Sequence, residues 1–247
     1  MRLFVWIAAA AAALFLAPVA QAAGAFADWG AVVVAGDWHA HSGAPSEVFD
    51  NARRDITGSL VAIGFSPDNI FQFSVRPENY PSQAPRKSDA QTIATSLWDL
   101  SNRTSGGCLA YFTSHGTPNG FVLNEEILTP AKMNGMISNA CGDRQTVVIV
   151  SSCFSGQFVR SLAAPNRMIL TAARPDRTSF GCGESDRYTF FDTCVIQNLQ
   201  GSGDFPDLAR NVIACVAARE KKDRVSPPSE PQLSIGADVA TTLPRWK

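Results

Sequence analysis

The chain has 247 residues, 45% of them hydrophobic and 17% charged, with 21 lysines and arginines against 22 acids. Such a length allows one large domain with a real core, and charges this nearly balanced offer neither nucleic acid nor an anionic membrane surface a basic patch. After the amino-terminal segment no stretch approaches the roughly 20 apolar residues a membrane-crossing helix needs.

The chain opens Met1-Arg2, runs apolar from Leu3 to Leu16 and reaches Ala20-Gln21-Ala22. A charged start, a short apolar run and a small-x-small site specify a secretory signal peptide over residues 1–22; the rival reading is an uncleaved anchor. We therefore expect a mature chain of residues 23–247, periplasmic or secreted, with no stable membrane anchor.

In chain order, Ala31–Gly36 is a continuous apolar run, a strand buried on both faces. Pro45-Ser46 precede a helix over Glu47–Ile63 whose apolar positions (Val48, Phe49, Ala52, Ile56, Leu60, Ile63) recur with helical spacing. Ile70–Val75 alternates as a short strand, and a connection rich in proline (Pro77, Pro81, Pro85) follows. Ser88 and Asp89 open a helix with Ile93, Leu97 and Leu100 on one face, and Cys108–Thr113 is the next buried strand. Asn119-Gly120 signals a tight turn, and Phe121–Leu123 with Glu126–Leu128 reads as a small flap hairpin. Thr129-Pro130 is an N-cap and first-turn pair. Gln145–Ser151 and Arg167–Ala172 are further strands, Tyr188–Leu199 and Phe205–Glu220 helices. The tail, residues 226–247, is extended, with Gln232–Ile235 as an edge strand. Strands alternating with helices predict an α/β domain, a three-layer αβα sandwich around a mainly parallel sheet.

Two of the strands stop at reactive side chains. Tyr111-Phe112-Thr113-Ser114 runs into His115-Gly116, and Val147–Ser152 into Cys153. Lying side by side they deliver an imidazole and a thiol to the carboxyl edge of the sheet, where open α/β sheets place their sites. A thiol beside a base suffices for acyl transfer through a thioester, so the catalytic pair is His115 and Cys153. Small polar neighbours (Ser151, Ser152, Ser155, Gly156) suit an open strand-to-helix turn, and a helix start just ahead presents a positive dipole end. The backbone N–H groups of Gly116 and Cys153 are the natural oxyanion donors. His39 and His41 form a His-x-His pair with no third ligand nearby, so no metal and no cofactor are expected.

Six cysteines in an exported chain point to disulfides. Cys108 and Cys141 each precede a strand and could meet at the amino edge of the sheet, and Cys194 and Cys215, in successive helices, could meet as well; spacing alone does not fix the connectivity.

Four stretches together resemble the legumain family of asparaginyl endopeptidases, in its small bacterial exported branch, within the caspase-like fold. They are Val32–Gly36, Thr113–Gly116 with Gly120–Leu123, Ser151–Gly156, and Thr171–Cys182, in family order. The resemblance implies His115 as general acid/base, Cys153 as nucleophile, Thr178 and Ser179 lining the substrate pocket with Asp192 contributing, and cleavage after Asn or Asp. It also calls for a group that orients His115, for which Asp37 is the candidate. The sequence departs from the family at Phe154, where legumains carry an acid, and after the first strand, where their Arg-His pair has only His39, His41 and Arg53-Arg54 as counterparts, out of register. The short tail implies no inhibitory carboxyl-terminal prodomain. Cys182 falls at the family position close to the catalytic centre, and bridges in chain order would then pair Cys153 with Cys182 as a redox cap.

The expectation is an exported cysteine endopeptidase acting on peptide or protein substrates. Its rivals are a transpeptidase or ligase on the same site and a peptide-binding pseudoenzyme.

Overall fold

The alternation of buried apolar runs with amphipathic helices sets the pattern seen in the computed structural model, which describes residues 24–247. The signal peptide expected over residues 1–22 lies outside the described residues. The elements run β1 (Gly30–Ala35), α1 (Val48–Ala62), β2 (Ile70–Ser74), β3 (Arg86–Lys87), α2 (Ala90–Arg103), β4 (Cys108–Thr113), β5 (Gly116–Thr117), β6 (Gly120–Leu123), β7 (Glu126–Leu128), α3 (Pro130–Cys141), β8 (Thr146–Ser151), α4 (Gln157–Leu162), β9 (Arg167–Thr171), α5 (Phe190–Leu199), α6 (Phe205–Lys222) and β10 (Gln232–Ile235).

Seven strands form one sheet in the order β10-β9-β8-β4-β1-β2-β3. All neighbours are parallel except β10, which closes the edge antiparallel to β9. Alternation within the buried runs sends side chains to both faces. Val33, Leu109, Tyr111, Val147 and Ile149 meet α1, α5 and α6, whereas Val32, Val34, Phe112, Val148 and Val150 meet α2, α3 and α4. Each fully buried aliphatic side chain contributes about 1.5–3 kcal/mol, which makes these two cores the main stabilising term. The result is the expected three-layer αβα sandwich.

Local signals set the helix starts. Asp89, Thr129, Thr189 and Asp204 each accept a backbone N–H of the first turn of α2, α3, α5 and α6. Disulfides join Cys108 to Cys141 and Cys194 to Cys215, with Cα separations of 6.1 and 5.7 Å. Cys153 and Cys182 are both free thiols, so the redox cap expected from chain order is not formed. β5, β6 and β7 form a small antiparallel sheet, one strand more than the expected hairpin. No helix among the described residues is long and apolar enough to cross a membrane.

Candidate active site

Interstrand hydrogen bonding aligns the site. Ala35 of β1 is registered with Thr113 of β4, and Thr113 with Ser151 of β8. Two residues further along each strand come Asp37, His115 and Cys153, so all three leave the sheet at one level. Registered neighbours on adjacent strands lie about 4.8 Å apart. From β1 the chain is laid outward to β2 on one side and to β4 on the other, so this level is also the topological switch point of the sheet.

His115 is fixed by backbone. Its Nε2 lies 3.0 Å from the carbonyl oxygen of His39. A carbonyl only accepts, so Nε2 carries the proton and Nδ1 keeps the lone pair a base requires. Phe49 packs edge-on against the ring, 5.0 Å between centroids. Asp37, the expected orienting group, does not reach His115. Its Oδ1 accepts the Trp38 N–H (2.6 Å), the His39 N–H (3.1 Å) and the His39 Nδ1–H (2.7 Å). A side chain this short folds back on its own turn, so Asp37 acts at one remove, by shaping the loop whose carbonyl holds His115.

Cys153 sits in the turn before α4, a helix of six residues. The following residue, Phe154, has φ 58°, the left-handed region, and its N–H donates to Arg177 at 2.8 Å. This ties the Cys153 turn to the segment after β9. The sulfur accepts the Ser179 N–H at 3.3 Å and lies 3.6 Å from the Ser179 carbonyl oxygen. Gly116 rests directly on this turn: a Cβ at 116 would overlap the carbonyl oxygen of Cys153 and come within 3.0 Å of its nitrogen. Only glycine allows the two backbones so close.

Two depressions flank the pair. One, of about 320 Å³, is lined by Cys153 with Thr178, Ser179, Cys182, Asp186 and His41. The other, of about 510 Å³, is lined by His115 and Gly116 with Asp37, His39, His41 and Thr117. His41 forms the shared rim; its N–H donates to the Cys182 carbonyl at 2.9 Å. Among the described residues no group of three or more His, Cys, Asp or Glu is arranged to hold a metal ion. A larger groove of about 540 Å³ between α2 and α3 holds neither thiol nor imidazole.

The structure thus brings Thr178 and Ser179, but not Asp192, to the cavity beside Cys153. That carboxylate is fully buried and accepts hydrogen bonds from Tyr111 (2.6 Å) and Thr113 (2.7 Å). It stands in the first turn of α5, which packs its buried face on β4. Burial pushes its carboxyl above the usual range, against the lowering effect of its hydrogen bonds. Cys182 occupies the cavity as a thiol pushed up to about 11, by burial first and then by the charges of Cys153 and Asp186. Asp186 itself escapes sequence reasoning; an acid in a glycine-flanked loop beside Cys182 was the one available signal.

A model of the Peptidase C13 family matches residues 72–214, more than half of the chain and the whole stretch from β4 to the cavity loop. The chain belongs to the Peptidase C13 family. This is the legumain family that the four stretches resemble, and a C13 peptidase is a cysteine-type peptidase with protein substrates. The solved structure of caspase-1 from Spodoptera frugiperda superposes with a TM-score of 0.60 at 13% identity, covering 84% of this chain and 86% of that one. The fold is therefore caspase-like. No curated protein matches the chain in sequence.

Proposed function

We propose that this C13 peptidase is an exported endopeptidase working through a dyad of Cys153 and His115. The observation that carries the reading is the common level at which β4 and β8 deliver the two groups, with Nδ1 of His115 left as the free ring nitrogen. The thiol turns from Ser179 toward Nδ1 and gives up its proton, and the sulfur adds to the scissile carbonyl. The developing oxyanion meets the N–H groups of Cys153 and Gly116, held together by the close backbone approach. The imidazolium then protonates the leaving amine, and the same nitrogen activates the water that releases the acyl group. Asp37 and His39 keep the ring in place; Thr178 and Ser179 line the cavity for the substrate side chain.

The signal-peptide pattern of residues 1–22 supports a periplasmic or secreted location. Cell fractionation checks it, and a cytoplasmic pool of uncleaved chain would count against it. Catalysis is tested by digesting a mixed peptide library with the wild type, Cys153→Ala and His115→Ala. Cleavage in the wild type and none in either variant is expected; cleavage that persists without the thiol would refute the dyad. The family resemblance implies cleavage after Asn or Asp, and the charge lining the cavity bears directly on that.

A further inference from the structure

We propose that Asp186 makes the cavity beside Cys153 selective for a cationic side chain, Lys or Arg, on the residue whose carbonyl is attacked. The inference rests on the reading of Cys153 as nucleophile.

The cavity shares its wall with Cys153, so the side chain it receives is the one next to the attacked carbonyl. Asp186 is the one carboxylate of that lining, and no Lys or Arg lines it. The neighbouring guanidinium groups are engaged elsewhere. Arg177 is paired with Asp176 at 2.9 Å, Arg174 with Asp176 and Glu230, and Arg187 with Asp55 at 3.3 Å. Within the cavity the only side-chain base is therefore the His41 imidazole on the rim, which makes no hydrogen bond to Asp186. One of its oxygens accepts the Gly183 N–H at 2.8 Å, which fixes the carboxylate's direction and leaves the other oxygen without a partner among the described residues. Glu184, next to Gly183 in the same loop, lies outside the lining and accepts a hydrogen bond from Ser42 at 2.6 Å.

A half-buried carboxylate strengthens its attraction for a cation relative to open water. Phe180 and Cys182 supply apolar wall for the methylene stem of Lys or Arg, which buries its stem and carries its charge at the tip. An Asp side chain in the same place would set two carboxylates against each other. Asn would satisfy the free oxygen with an amide but leave the charge uncompensated. The cavity thus departs from the preference that the family resemblance implies.

The test separates selectivity from turnover. Peptidyl chloromethyl ketones differing only in the residue beside the reactive carbon (Lys, Arg, Asn, Asp, Leu) are reacted with wild type, Asp186→Asn and Asp186→Glu. Alkylation of Cys153 is followed by intact mass, with iodoacetamide as a control for thiol access. The Lys and Arg reagents are expected to alkylate at least about tenfold faster than the others. That advantage should collapse in Asp186→Asn and largely survive in Asp186→Glu. Asn, Asp or Leu ahead in the wild type, or an unchanged Lys/Arg advantage in Asp186→Asn, would overturn the proposal. Cation-selective labelling in a protein that hydrolyses no peptide would support the proposal and overturn only the hydrolase reading. Iodoacetamide-reactive Cys153 that no peptidyl reagent labels would overturn both.

Discussion

The Nε2–H of His115 is held by the backbone carbonyl of His39 at 3.0 Å. An uncharged acceptor fixes the ring and its tautomer without adding a negative charge beside Cys153. The aim of that carbonyl depends in turn on the three hydrogen bonds that Asp37 accepts within its own turn. Replacing Asp37 by Ala is expected to lower kcat by roughly ten- to a hundredfold through misplacement of the imidazole, with KM little changed. Asp37→Asn retains an acceptor oxygen for the turn and should recover much of the loss. Equal effects of the two substitutions, or an effect confined to KM, would argue against this positioning role. Steady-state kinetics over a pH series decides it.

Gly116→Ala inserts a methyl group where the Cys153 carbonyl already lies. The two backbones must separate, and the oxyanion donors with them, so kcat should fall by about a hundred- to a thousandfold. Circular dichroism and kcat measured together show whether the loss is local. Near-normal turnover would mean that the two N–H groups do not share an oxyanion.

Asp192 separates a pocket role from a supporting one. Asp192→Ala leaves the hydroxyls of Tyr111 and Thr113 buried without an acceptor, at a cost of about 3 kcal/mol. Denaturant unfolding should show that loss, while the cleavage-site preference of the folded fraction stays as in the wild type. An altered preference at unchanged stability would restore Asp192 to the substrate pocket.

Cys182 gives a pH signature. Its thiol is pushed up to about 11, so alkylation at this residue should be slow at neutral pH and rise steeply through the alkaline range. The folded-state value lies above the unfolded one. The stability linked to the protonated thiol is therefore complete below the unfolded value, and is lost as pH climbs toward about 11. Because the charge of Cys153 contributes to the rise, Cys153→Ala should shift the Cys182 alkylation profile to lower pH. A profile that does not move would mean that the two thiols are electrostatically independent.

The bridge between Cys194 and Cys215 closes a segment of 21 residues joining α5 to α6. Replacing both by Ser should cost about 3 kcal/mol, read as a lower Tm, with the dyad's kinetics unchanged.

Much of this fold is legible in the sequence. Continuous apolar runs ending at His115 and Cys153 reveal strands buried on both faces, because only a sheet covered twice hides every side chain. Thr129-Pro130 and Asp89 mark helix starts by chemistry that belongs to those positions. The rest is hidden for definable reasons. β3, only Arg86 and Lys87, is too short to show any periodicity, and β5 is two residues of an ordinary loop composition. The His39 carbonyl is backbone, which every residue carries, so its partnership with His115 leaves no trace in side-chain identity. Helical spacing places Asp192 in a first turn but does not say whether that face meets the sheet or the cavity. Asp186 lies in a loop, where spacing carries no direction at all.

The registered strands have one more consequence. The spacing of Asp37, His115 and Cys153 is written in interstrand hydrogen bonds between β1, β4 and β8, whereas the cavity wall from Thr178 to Asp186 belongs to a connecting loop. The two meet at one place, where the Arg177 carbonyl and the Ser179 N–H of the loop hold the Cys153 turn; beyond Ser179 the wall is built independently of the strand register. A residue inserted between Thr113 and His115 would slide the imidazole by a strand's rise of about 3.3 Å and turn it to the opposite face. A residue inserted between Gly181 and Asp186 would redraw the cavity and leave the reacting atoms where they stand. The stretch beyond Ser179 is accordingly the part that can be exchanged at the bench to reshape the cavity without moving Cys153 or His115.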